Sequence, residues 1–166
     1  MIRRVAALAL AATVSLAVPA VAAAPKKVTR NGVGQVKLGA KHSTLKAKGV
    51  VGNKIPGCEL AGPGQKAARL TGALEGAVQL TTSAARRVRT IIVTKGAEAK
   101  GVGIGATRAK IEKRFPNAKV DTSTEEVFGL TLVTIPRSNG GRFQFGVEVK
   151  TKRVSLIGVP FIAFCE

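Results

Sequence analysis

RVRTIIV, residues 87–93, returns 66 residues later as RVSLIGV, residues 153–159. Arg87, Val88, Ile91 and Val93 each meet an identical residue at that offset. The same offset lays VKLGA (36–40) over VGIGA (102–106), Leu38 over Ile104 and Leu45 over Ile111. One spacing, held without a gap at both ends of a unit, marks an internal duplication. The chain reads as two copies, about 30–96 and 97–164.

Both copies carry the same order of signals. Each opens with a short apolar stretch ending in Gly-Ala, and a helical segment follows. In the second copy this is 107–115, where Thr107 caps the start and Ile111 and Phe115 share one face. Pro116-Asn117 stops it. In the first copy the segment is 40–48, ended by Gly49. Strands come next. Residues 127–135 are rich in Val, Leu, Thr and Ile, and 142–150 alternate, with Phe143, Phe145, Val147 and Val149 on one side. Arg142, Gln144, Glu148 and Lys150 lie on the other side, and Thr151-Lys152 turns the chain into the strand from Arg153. The first copy echoes this with strands at 77–82 and 87–94, while 56–65, rich in Gly and Pro, reads as loop. The expected fold is α+β: a tandem repeat of helix followed by antiparallel strands, with the helices packed on one face of the sheet.

The stretch GVGIGA (101–106) satisfies the G-x-G-x-x-G/A pattern of a dinucleotide turn. That turn needs a parallel βαβ setting, whereas the strands that follow here read as antiparallel. The first copy keeps only Gly39 of the three glycines. A turn that needs permissive dihedrals before a helix explains what both copies share. No nucleotide cofactor is expected.

The first residues speak to compartment. Arg3-Arg4 precede an Ala/Val/Leu run to Ala24, with small-residue cleavage sites around Ala20-Val21-Ala22. This is the plan of a secretory signal peptide, 1–23, leaving a single mature domain, 24–166. The run can also be read as a membrane anchor, but Pro19 and the alanines suit cleavage better. The reading is a secreted, bacterial protein, with no cysteine near the cleavage point to take a lipid. Without Arg3 and Arg4, 25 basic residues stand against 9 acidic ones, a net charge of +16. Such a surface attracts polyanions. Outside a cell these are wall polymers, lipid headgroups or acidic proteins; nucleic acid is not expected. The exported chain has two cysteines, and the simplest arrangement pairs Cys58 with Cys165. A loop of about 107 residues closed this way stabilises by roughly 4–5 kcal/mol in the chain-entropy model.

Catalytic constellations are not apparent. Two cysteines and one distant His42 make no zinc site, so no metal is expected. His42 stands beside Ser43 and Thr44, and a first-turn surface position is expected for it. Glu125 and Glu126, read on a strand, point to opposite faces and cannot jointly flank a glycosidic bond. With Asp121 they read as a solvated acidic patch. The chain has no Trp or Tyr to stack on sugars or bases, and its six Phe are expected mainly in the core.

Val33-Gly34-Gln35-Val36-Lys37-Leu38-Gly39, followed by a helix and strands, resembles the repeat opening of β-lactamase inhibitory protein-like domains, and is similar to the single-copy SmpA/OmlA lipoprotein domain. That family opens its unit with Gly-Met-Thr. Gly105-Ala106-Thr107 keeps two of the three positions, and Gly39-Ala40-Lys41 keeps one. The resemblance implies a secreted, non-enzymatic protein whose continuous sheet offers a concave face to a partner. β-Lactamase inhibition is not carried over, because the aromatic residues that the inhibitor uses have no Trp or Tyr counterpart here. The expected function is a secreted binding module contacting anionic envelope polymers or another exported protein. The expected basic face comprises Arg87, Arg89, Arg142, Gln144, Lys150 and Arg153. The alternatives are an exported hydrolase of cell-wall material and an envelope assembly or stress factor.

Overall fold

The two duplicated strands lie side by side. The computed structural model describes residues 24–58, 63–136 and 141–164. The first copy runs β1 (Lys26–Thr29), β2 (Gly32–Val33), β3 (Val36–Lys37), α1 (His42–Ala47), β4 (Val51–Pro56), β5 (Lys66–Leu70), β6 (Glu75–Leu80) and β7 (Val88–Lys95). The second runs β8 (Ala97–Ala99), β9 (Val102–Gly103), α2 (Arg108–Arg114), β10 (Lys119–Asp121), α3 (Glu125–Phe128), β11 (Leu130–Pro136), β12 (Arg142–Glu148) and β13 (Val154–Val159).

β7 and β13 pair antiparallel, with Ile157 opposite Val93, Gly158 opposite Ile92 and Val159 opposite Ile91. Exchanging the copies, 66 residues apart, maps this set of pairs onto itself. A pseudo-twofold axis therefore passes between Ile92 and Gly158. The eight-stranded sheet that results has the order β10-β11-β12-β13-β7-β6-β5-β4, the second copy followed by the mirror order of the first. A five-stranded sheet, β3-β2-β1-β8-β9, is antiparallel except where β1 runs parallel to β8.

Register carries the correspondence through the middle of each copy. Val78 faces Ile91 and Phe145 faces Ile157, so β6 and β12 correspond at an offset of 67. Ala68 faces Val78 and Val133 faces Phe145, so β5 and β11 correspond at 65. Connections of unequal length hide this part of the duplication from a single-offset comparison.

The helix-then-strand α+β expectation is overturned. Strands make up 49% of the described residues and helices 13%. The Gly-Ala openings are not merely lead-ins to helices: β2, β3, β8 and β9, joined through β1, build a sheet of their own. Strands of two or three residues carry no readable period, and helices of six and seven residues are too short to form a layer by themselves. Both sheets and the two longer helices share one core, in which Val33, Val102, Ile111, Ile91, Val93, Ile157 and Val159 are buried.

The duplicated turns repeat atom for atom. Gly39 and Gly105, φ +77° and +81°, donate their N–H groups to the carbonyls of Val88 and Val154 over 2.8 Å each. Arg86 and Lys152, again 66 apart, both adopt positive φ, 43° and 56°. The glycines of GVGIGA thus serve a hairpin and a left-handed turn. The strand before α2 is antiparallel to its neighbour, which is not the setting of a dinucleotide turn.

The shared seam is testable. Ile157→Ala, at a fully buried position beside the axis, should cost about 2–5 kcal/mol in urea denaturation. A loss under about 1 kcal/mol would mean that the two halves do not share one core.

Candidate functional site

Alternation along the strands divides the large sheet into two faces. Ile91, Val93, Phe143, Phe145, Ile157 and Val159 enter the core. Ala67, Ala77, Gln79, Ile92, Gln144, Gly146, Leu156 and Gly158 point to the outer face. Over the second copy, that outer face is covered by the chain itself. After β13 the C-terminal segment turns back across it, and the Ile162 N–H donates to Gln144 Oε1 over 2.8 Å. Glycine is required at position 158 beneath this strap, where a Cβ would lie 2.6 Å from the Phe161 and Ile162 backbone; at Gly146 a Cβ would lie 2.9 Å from the Leu156 side chain and 3.3 Å from that of Ile162. Phe164 stacks on Phe128, ring centroids 4.0 Å apart and planes 13° from parallel.

Over the first copy no described segment covers the outer face. At the edge of the strap lies a groove of about 550 Å³, walled by Cys58, Ala77, Ile92, Leu156, Ile162 and Phe164. A second shallow depression of about 460 Å³, bordered by Ile55, Arg69, Glu75 and Thr94, shares Ala77 with it. Together they form a broad, mostly apolar sheet surface with few ionisable groups.

The six residues expected as a basic face do not converge. Arg87 Nη1 donates to the Gly39 carbonyl over 2.8 Å, and Arg153 Nη1 donates to the Gly105 carbonyl over 2.8 Å. Each clamps the turn ahead of its helix, and Lys41 and Thr107 bridge to them in the same repeat-equivalent way. The antiparallel seam sends the two arginines to opposite edges, roughly 30 Å apart along the strands at about 3.3 Å per residue. Gln144 is held by Ile162 and by its own donation to Thr134 Oγ1 over 2.9 Å. Arg142 lies 5.9 Å over the Phe161 ring at one end of β12, while exposed Lys150 follows the other end. Arg89 is exposed beside the irregularity in the β6–β7 pairing.

Three other expectations change. His42 is buried rather than a surface residue, and its Nε2–H donates to the Gly52 carbonyl over 3.0 Å, tying α1 to β4. Glu125 and Glu126 stand in the first turn of α3, not on a strand; Glu125 accepts from Thr131 Oγ1. Of the six phenylalanines only Phe115, Phe143 and Phe145 join the core, while Phe128, Phe161 and Phe164 serve the strap. The signal for the strap was present in Phe161, Ile162 and Phe164 clustered before Cys165. Asp121 stays exposed, its carboxyl held below the usual range by the Ser123 hydroxyl and then by the Ser123 N–H. Cys58 is disulfide-bonded. Cys165, the only other cysteine of the sequence, lies outside the described residues. The Cys58 sulfur sits 3.5 Å from the Phe164 carbonyl oxygen, which places it at the end of the strap.

Among the described residues no group of three or more His, Cys, Asp or Glu side chains gathers to hold a metal. Nor is any helix among them long and apolar enough to cross a membrane; residues 1–23 lie outside the described part. No protein-family model matches the chain, and neither a curated protein nor a solved structure is significantly similar to it.

The clamps and the strap predict separate outcomes. Arg87→Ala and Arg153→Ala should each cost about 0.5–1.5 kcal/mol, and their costs should add because the sites are far apart. Strong coupling in the double variant would contradict independent clamps. Reduction of the Cys58 disulfide should cost about 2–5 kcal/mol and raise protease sensitivity at the C-terminus first. Unchanged stability on reduction would show that the bond adds nothing to holding the strap.

Proposed function

We propose that the protein is an exported, non-enzymatic binding module held at the cell envelope by anionic polymer. The supporting observation is electrostatic. The chain beyond residue 23 carries 25 basic against 9 acidic residues. Among the described residues only two ion pairs form, Lys95 with Glu75 at 2.7 Å and Arg108 with Glu112 at 2.8 Å. Most of the described cations thus stand outside an ion pair. The six expected face residues are scattered, so the attraction belongs to the whole surface rather than to one patch. A polymer that wraps or threads past many cations suits this distribution better than a compact acidic patch does.

A second reading rests on the outer groove. Its walls are apolar and shallow, and the strap beside it already shows a chain segment lying on this kind of face. An exported protein contributing an extended segment to the open half fits that geometry. The hydrolase alternative has less support: His42 is committed to Gly52, and the groove brings no set of convergent acids and bases together.

Co-sedimentation with a purified phosphate-bearing wall polymer separates these readings. Attraction by distributed charge should weaken at least about tenfold between ~50 and ~200 mM salt. Retention that ignores salt would overturn the polymer reading, and a single protein bound at high salt would favour the groove.

A further inference from the structure

In the first copy the turn after α1 closes on itself. Gly49, φ +65°, ends the helix, its N–H on the Lys46 carbonyl and the Val50 N–H on that of Leu45. Glycine takes this left-handed cap without strain. Just past β5, the Thr71 hydroxyl then donates to the Gly49 carbonyl over 2.7 Å. In the second copy Phe115 stands where Gly49 does, and Pro136 stands where Thr71 does. Pro136 has no hydroxyl to make that bond. Phe115, before Pro116, is extended at φ −132°, ψ 77°, as a residue preceding proline tends to be. Among the described residues no bond takes the place of this seal. In its place lies a cleft of about 340 Å³, lined by Lys100, Arg114, Phe115, Asn117, Ile135 and Pro136.

The cleft divides by chemistry. Phe115, Ile135 and Pro136 supply an apolar floor. Lys100 and Arg114 are cations and Asn117 adds an amide, and none of the lining residues is acidic. Lys100 Nζ is 5.6 Å from the centre of the Phe115 ring, and Arg114 comes from the last turn of α2.

The backbone at Lys100 is a second, independent observation. Its φ is +49°, and its counterpart 66 residues earlier is Gly34 at +52°. Both copies need a left-handed residue to make this turn. A residue with a Cβ occupies that region at a cost, yet the second copy carries a lysine there, and its ammonium group reaches the cleft.

We propose that this cleft binds an organic phosphate, with the phosphoryl group between Lys100 and Arg114 and the apolar part of the ligand over Phe115, Ile135 and Pro136. The planar guanidinium fork and the ammonium point charge suit phosphoryl oxygens, and the volume is that of a small-molecule site. The inference rests on the anionic-polymer reading and adds one defined subsite to it. The phosphate ester is either borne on the polymer or free.

The test is titration of the oxidised protein with phenyl phosphate at low salt, followed by chemical shifts. Saturable binding is expected, with inorganic phosphate binding about tenfold more weakly or worse because it has nothing for the floor. Equal affinity for inorganic phosphate would overturn the assignment. Lys100→Gly gives the turn the residue of the first copy, so the melting temperature should hold or rise. Its Kd should rise about tenfold or more through the lost charged contact. Lys54→Ala, which removes the same charge from β4, should change Kd less than about twofold. No change in Lys100→Gly, or equal changes in the two variants, would overturn the site. Glycerol phosphate and a poly(glycerol phosphate) chain, compared at equal phosphate, separate the sources: tighter binding of the chain marks a polymer ligand, equal binding a free ester. Salt-sensitive polymer binding without phenyl phosphate binding overturns the cleft and leaves the envelope reading. Phenyl phosphate binding without polymer binding overturns the envelope reading alone.

Discussion

Everything in this fold is arranged around the antiparallel pairing of β7 with β13. Ile91 meets Val159 and Val93 meets Ile157, so the same Ile–Val pair occurs on both sides of an internal axis. The contact is isologous, as in a twofold dimer, but the two halves are covalently joined. Each copy leaves one side of the last strand of its four-stranded half unpaired until the other arrives. Joining them converts two exposed edges into the centre of one sheet. It also makes a single core out of two halves that would each bury little apolar surface alone.

Symmetry at the seam has left the periphery free to diverge. In the second copy Phe115, Phe143 and Phe145 pack as a ring cluster, with centroids 5.5–5.9 Å apart. The corresponding residues of the first copy are Gly49, Gly76 and Val78. Bulk in the core has thus moved to one half. On the outside, Gly146 and Gly158 admit the C-terminal strap, where the first copy carries Gln79 and Ile92 and no described segment lies over them. The same asymmetry leaves the cleft beside α2 unsealed. Duplication supplied the scaffold, and the differences between copies supplied the concave surfaces.

Charge acts on another length scale. Arg87 and Arg153, the most conspicuous basic pair of the repeat, are exposed but tied to carbonyls of their own turns. Their conserved spacing within the chain reflects a backbone clamp. The remaining cations are dispersed over both edges and the helices, and such a field falls off over about 8–10 Å at moderate ionic strength. It guides and retains an anionic partner without choosing among partners. Choice requires a shaped site, and the outer groove and the cleft beside α2 are the shaped surfaces described here.

The sequence by itself determined the duplication, the two helix starts and stops, the alternation of β12 and the disulfide-forming chemistry of Cys58. These are local or same-offset features: a Thr107 cap, a Gly49 end, a period of two, a heptapeptide that returns with four of its seven residues identical. It also showed that the glycine-rich stretch recurs only in part, and so belongs to a turn. Only the tertiary structure decided that the short openings pair into a sheet, since two-residue strands exist through their partners rather than through any period of their own. Only it turned Arg87 and Arg153 away from a common face, because the direction of a side chain at a strand's start depends on the turn packed against it. It likewise buried His42, laid the last aromatic residues over Gly146 and Gly158, and opened the cleft at Lys100. Most of these depend on residues 10 to 71 positions apart meeting in space, and a linear reading carries no distance between them.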